Sequence, residues 1–328
     1  MKRIHSSLIL GISAALIFAG FTSCLSIPTD DGGGFSTEMA VLGAISSSVE
    51  SIEKASETIT PEEEYYIGRS VAASIATQFP VDQGSLQMTS YLNKICETLV
   101  MNSDKPYLYK GYYVVILDTD EINAMATPGG HIFVSRGLID CTDSEDALAA
   151  VLAHEVAHVQ LGHSVSAIKA SRVRNAVSST TKAVAVTSIA VANERAGASG
   201  LKLSDKEMEK VMQAVDTFSD MSNEVTKTLV NTGFSKEQEF EADKNALYIL
   251  QSAGYDPYAM LDMLAQIDES PSNKGWGSTH PSPKDRIKKV NKELGAMAKA
   301  GTIEKGGKSV RKERFDVEYE DYKIFEIN

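Results

Sequence analysis

The chain has 328 residues, 43% of them hydrophobic and 23% charged, which is enough apolar material for a full core and excludes disorder as the default. Its 44 acidic residues against 32 basic ones give a formal net charge of −12. No basic stripe with interleaved aromatic residues appears, so no nucleic-acid partner is expected, and one domain without repeats is.

Lys2 and Arg3 precede an apolar run from Leu8 to Phe21 that closes on Thr22-Ser23-Cys24. This is the layout of a secretory signal over residues 1–23 and not of a spanning helix. The small residues before Cys24 resemble a bacterial lipoprotein processing site, at which that cysteine becomes the lipidated first residue. An ordinary cleaved signal is the alternative. Residues 24–35, LSIPTDDGGG and its flanks, suit a flexible tether. The remaining thiols, Cys96 and Cys141, are able to pair in an oxidising compartment or to stay as two separate buried cysteines.

The folded domain is expected over 36–300. A surface helix is read over 36–59 from Met39, Leu42, Ile45, Val49 and Ile52. Thr60-Pro61-Glu62-Glu63 then restarts a helix, with threonine as cap and proline at the first position. Another helix is expected over 85–100. YYVVILD (112–118) and HIFVS (131–135) are β-branched and aromatic runs separated by TPGG, and they predict a small sheet with a hairpin-like pair. Thr142-Asp143-Ser144-Glu145 has a capping-box pattern before a periodic helix that stops at Gly162. Residues 173–200 read as packed or mobile helix, and further helices are expected over 235–253 and 257–267. The tail, 301–328, contains FDVEYEDYKIF, whose alternation predicts an edge strand.

Three of the six histidines fall in LAHEVAHVQLGHS, 152–164. On a helix His154 and His158 share one face, and HEVAH fits HExxH: two imidazoles that hold zinc, with Glu155 facing the water to be activated. The longer metzincin pattern is broken at Leu161 and Ser164. A third ligand must come from downstream, where EFEADKNAL places Glu239 and Asp243 one turn apart. Glu237 and Glu241 are alternatives, but only Glu239 is followed one turn later by an acid able to bond a ligand histidine's far nitrogen. His163 reads as a helix-end histidine satisfied by backbone carbonyls.

NAMATPGGHIFVSRGLI, HEVAHVQLGH, SKEQEFEAD and HPSPKDR occur in this order. Together they resemble the HtpX and CAAX-prenyl-protease family of zinc metallopeptidases, in the gluzincin group, over roughly residues 60 to 295. The resemblance implies an α+β, mainly α-helical domain with a small sheet beside the HExxH helix. It implies one zinc ion per chain on His154, His158 and Glu239, with Glu155 as general base and Asp243 behind a ligand. His280 and Arg286 match family positions near the metal and the reacting carbonyl. The chain looks most similar to the compact envelope lipoproteins of the family, without spanning helices or a repeat extension.

The activity so implied is peptide-bond hydrolysis of misfolded or unassembled envelope proteins, on the periplasmic side of a lipid-anchoring membrane, the outer one being favoured. His280 or Arg286 would stabilise the oxyanion, and His280, on a loop bounded by Gly275, Gly277 and Pro281, would alternatively gate the metal at rest. His131, Ile132, Phe133 and Val134 are expected to present an open strand edge to an extended peptide. A zinc-containing assembly factor or chaperone with little turnover is the rival reading.

Overall fold

In the computed structural model, which describes residues 58–169, 222–270, 279–303 and 308–326, the chain enters its first helix through the cap read from the sequence. Thr60 accepts from the Glu63 amide while the Glu63 carboxylate takes the Thr60 N–H, so α1 (Pro61–Gln78) begins with its end groups satisfied. The expectations for the signal, Cys24, the tether, nearly all of the helix over 36–59, the segment 173–200 and most of the loop before His280 lie outside the described residues.

After α2 (Leu86–Met101) come β1 (Tyr113–Leu117), β2 (Ala124–Ala126) and β3 (His131–Ser135), in sheet order β1-β3-β2. The two strands read from the sequence do pair, but in parallel, from Tyr113 against His131 to Leu117 against Ser135. This corrects the hairpin expectation. TPGG closes a hairpin whose other arm is the short β2, antiparallel to β3. Ala-Met-Ala carries little β propensity, so the strand was not visible locally. Side chains alternate between two cores: Ile132 and Val134 face one beneath α2, and Phe133 faces the other with Ile67, Val71 and Ile75 of α1.

α3 (Arg136–Cys141) leads into α4 (Glu145–Leu161), which carries HEVAH. Its cap is Ser144, whose hydroxyl accepts from the Ala147 amide, whereas Thr142 ends α3. All of α4 except Leu161 is buried, its charged and histidine side chains included, as befits a helix at the centre of the fold. Gly162, at φ +70, ends it in the left-handed conformation. α5 (Lys236–Ser252) packs along α4, α6 (Ala259–Glu269) and α7 (Pro283–Lys299) complete the layer, and α8 (Lys308–Glu326) closes the described chain.

α8 corrects the expected edge strand. At helical spacing Phe315, Tyr319 and Tyr322 form one face, and Phe315 and Tyr322 are buried while Val317 is exposed. Burying Phe315 alone is worth about 1.5–3 kcal/mol, and the alternation that suggested a strand is a coincidence of two periods. Cys96 and Cys141 are both free. Among the described residues no helix is long and apolar enough to cross a membrane.

Candidate metal centre

Neighbouring turns of α4 set His154 and His158 side by side, with their Nε2 atoms 3.1 Å apart. α5 brings Glu239 against both: one carboxylate oxygen is 3.6 Å from His154 Nε2 and the other 3.5 Å from His158 Nε2. One donor atom from each of the three lies within 4.8 Å of the others. Two nitrogens bound to a tetrahedral zinc at usual lengths are about 3.3 Å apart, so the spacing and the donor chemistry suit such an ion. All three residues are buried, whereas Glu237 and Glu241 are exposed.

Glu155, next to His154, is 2% exposed. Its Oε1 and the Oε1 of Glu239 have no hydrogen-bond partner among the described residues. Orphaned buried oxygens are costly unless something else meets them. Burial raises the Glu155 carboxyl above its ordinary value, although the charges of His154 and His280 oppose it. Burial also disfavours ionised Glu239, but His280 and His154 overcome it and hold the carboxyl well below its usual range. At His158, burial and the neighbouring His154 push the imidazole down, favouring the neutral ring a metal needs.

Behind His154, Asp243 Oδ1 lies 3.1 Å from Nδ1. Burial opposes the Asp243 charge, yet Arg286 and His154 bring its pKa down to about 2. Arg286 is fully buried and donates to both Asp243 oxygens, at 3.0 Å from Nε and 2.6 Å from Nη2. Its guanidinium thus backs the Asp243 carboxylate and does not line the cavity next to Glu155. His280 does line it, and its Nδ1 is 2.8 Å from Glu239 Oε2. With Met125, Leu229, Phe234 and Thr279 it leaves a cavity of ≈ 10 Å³ beside Glu155, room for about one water molecule.

The strand expectation fails. β3 is the middle strand, paired on both sides, and Ile132, Phe133 and Val134 are buried. His131 is half-buried, bonds Thr127 Oγ1 at 3.3 Å and lies over Tyr65. The strand at the cavity is β2, through Ala124 and Met125. The reading of His163 as a helix-end histidine satisfied by backbone carbonyls is also corrected, since neither ring nitrogen bonds one. The residue is 3% exposed, and its Nδ1 lies 2.8 Å from Nδ1 of His158. The available signal was the cluster of three histidines in ten positions.

Residues 86–294 match the model of Peptidase family M48. Over 63% of its length the chain is 29% identical to Mitochondrial metalloendopeptidase OMA1 of Schizosaccharomyces pombe, covering 53% of that protein. It is 27% identical to the Beta-barrel assembly-enhancing protease of Escherichia coli K12, over 61% of this chain and 37% of that one. The chain thus spans about half the length, or less, of these curated relatives. With Metalloprotease YcaL of Escherichia coli K12 the identity is 26%, across 90% of this chain and 98% of the relative. The matched region contains the paired histidines of α4, Glu239 and Asp243 of α5, and Arg286 at the start of α7, and the chain belongs to peptidase family M48.

Proposed function

We propose that the chain is a zinc-dependent endopeptidase of the bacterial cell envelope that cleaves misfolded or unassembled envelope proteins. The observation that carries this reading is the buried convergence of His154, His158 and Glu239 beside the orphaned carboxylate of Glu155. Zinc held by those three residues would supply Lewis acidity and would lower the pKa of a water to near neutral.

The chain's own groups do the rest. Glu155 takes the proton from the attacking water and passes it to the leaving amine, and its burial favours a carboxyl that holds a proton between the two steps. Asp243 fixes the tautomer of His154, and Arg286 keeps Asp243 ionised and in place. The strand to pair with an incoming backbone would be β2, which ends the sheet order and is buried here, reached once Leu229, Phe234 and His280 move from the cavity. The signal over 1–23 and the small residues before Cys24 support export and a lipid anchor at Cys24. The relatives named for β-barrel assembly support envelope proteins as substrates.

The decisive experiment compares zinc content and cleavage of an unfolded protein for wild type and Glu155→Gln. The variant should keep its zinc and its fold and lose cleavage by about 10²–10⁴-fold. Undiminished turnover would remove the proposed mechanism. No turnover in either protein, with zinc bound, would favour an assembly factor.

A further inference from the structure

His158 has a partner on its far side as specific as the one Asp243 gives His154. The left-handed Gly162 turns the chain at the end of α4, so a residue five positions after His158 comes back beside it. Nδ1 of His163 lies 2.8 Å from Nδ1 of His158, with ring centroids 4.8 Å apart and ring planes at 73°. Phe234 stacks on His158 at 4.4 Å and lies 5.7 Å from His163, closing the pair against the protein. On its outer side His163 Nε2 is 3.5 Å from Oε2 of Glu241, whose side chain is 62% exposed.

We propose that His163 is a positioning residue of the metal centre, accepting the Nδ1–H of His158 and so holding that ring in the tautomer that aims Nε2 at the ion. The inference rests on the reading of His154, His158 and Glu239 as the ligand set.

Counting protons fixes the direction of the bond. His158 Nε2 must offer a lone pair toward Glu239 and His154, so a neutral His158 carries its hydrogen on Nδ1. Only one hydrogen fits between two nitrogens 2.8 Å apart, so Nδ1 of His163 is the acceptor. The hydrogen of His163 is then on Nε2, facing Glu241. The two ligand histidines therefore have unlike supports. His154 leans on a buried, ion-paired carboxylate, and His158 on a neutral imidazole with a solvent-facing acid beyond it. A residue that merely packed there would be replaceable by an apolar one of similar size.

The test uses the full chain and reads zinc affinity by chelator competition, together with the visible spectrum of the cobalt-substituted protein. His163→Leu should bind zinc about 10–100-fold more weakly and alter the cobalt spectrum. His163→Asn should recover most of the affinity, because its Oδ1 offers an acceptor close to where Nδ1 stood. Glu241→Ala should change affinity less than His163→Leu does. Wild-type affinity in His163→Leu, or an Asn variant no better than Leu, overturns the proposal. If His163→Leu does not fold, nitrogen-15 spectra of the zinc-loaded wild type decide: His163 with its hydrogen on Nε2 supports the bond, and on Nδ1 overturns it. A wild type that binds no zinc overturns the ligand set itself, a result distinct from binding that is indifferent to His163.

Discussion

The two ends of α4 both bury acids, and they treat them in opposite ways. At the start of the helix, Glu145 accepts from the hydroxyls of Tyr91 at 2.8 Å and Tyr255 at 3.0 Å, and both its oxygens also meet Arg314 of α8. Asp146 takes the Asp256 amide on one oxygen and Arg311 on the other. Ten residues on, Glu155, and with it Glu239 of α5, each keep a buried oxygen without a hydrogen-bond partner among the described residues. A saturated network holds a fold, and unsaturated oxygens beside converging donor atoms point to where something else can bind. Burial and charge alone would not separate the two ends; accounting for each oxygen does.

That contrast breaks most visibly when one acid is removed at each end. Glu239→Ala should lose zinc affinity by more than the 10–100-fold or so typical of residues behind the ligands, while the metal-free protein keeps most of its stability. Glu145→Ala should do the reverse. It leaves the Tyr91 and Tyr255 hydroxyls buried without their acceptor, while Arg314, half exposed, turns to water, and should cost about 1–3 kcal/mol per stranded hydroxyl in denaturant unfolding with zinc affinity unchanged. The exposed Glu237, replaced by alanine, should alter neither. Equal zinc loss at 237 and 239, or zinc loss at 145, would erase the distinction between the two ends.

What was legible in the sequence follows the same division between local and non-local physics. HEVAH, the stop at Gly162, and the pairing of Glu239 with Asp243 one turn later are helical-spacing statements, and the helices deliver them. His163 reads from sequence as a helix-end histidine because it lies beyond the left-handed turn, where a helical projection no longer says what faces what. The parallel pairing of β1 with β3 depends on the whole connection through β2, which local pattern does not encode. The tail misled because Phe315 and Tyr319 satisfy both a period of two and a period near four, and Tyr322 decides between them.

Asp243 sharpens the comparison because it belongs to both kinds of site. Arg286 saturates it as Arg314 saturates Glu145, yet it also bonds His154. Asp243→Asn should therefore show both signatures: zinc affinity down about 10–100-fold and a destabilised metal-free protein, since the buried guanidinium loses its counter-charge. A variant that loses affinity with no loss of stability would mean that the Arg286 pair contributes little to the fold.

The smallest effect is expected at His280, and its sign carries the information. His280 and Thr279 sit over the cavity at Glu155, and the cover is tight: Gly233, at φ +68, has the Thr279 carbonyl oxygen 1.8 Å from where a Cβ would stand. A cavity of ≈ 10 Å³ admits no peptide, so the proposed cleavage calls for the cover to move. The bond from His280 to Glu239, at 2.8 Å, ties the cover to a proposed ligand. His280→Ala removes that tie and leaves the ligand set and Glu155 intact, so basal cleavage of an unfolded protein should rise by about a few fold, with zinc retained. The rise is bounded because the close approach of the Gly233 and Thr279 backbones is unchanged, and each opening exposes the same chemistry. If His280 instead steadies the oxyanion, the same variant should lose cleavage by about a hundredfold. A fall of that size would place the imidazole on the reacting carbonyl and leave the closed cavity to be explained by Leu229 and Phe234.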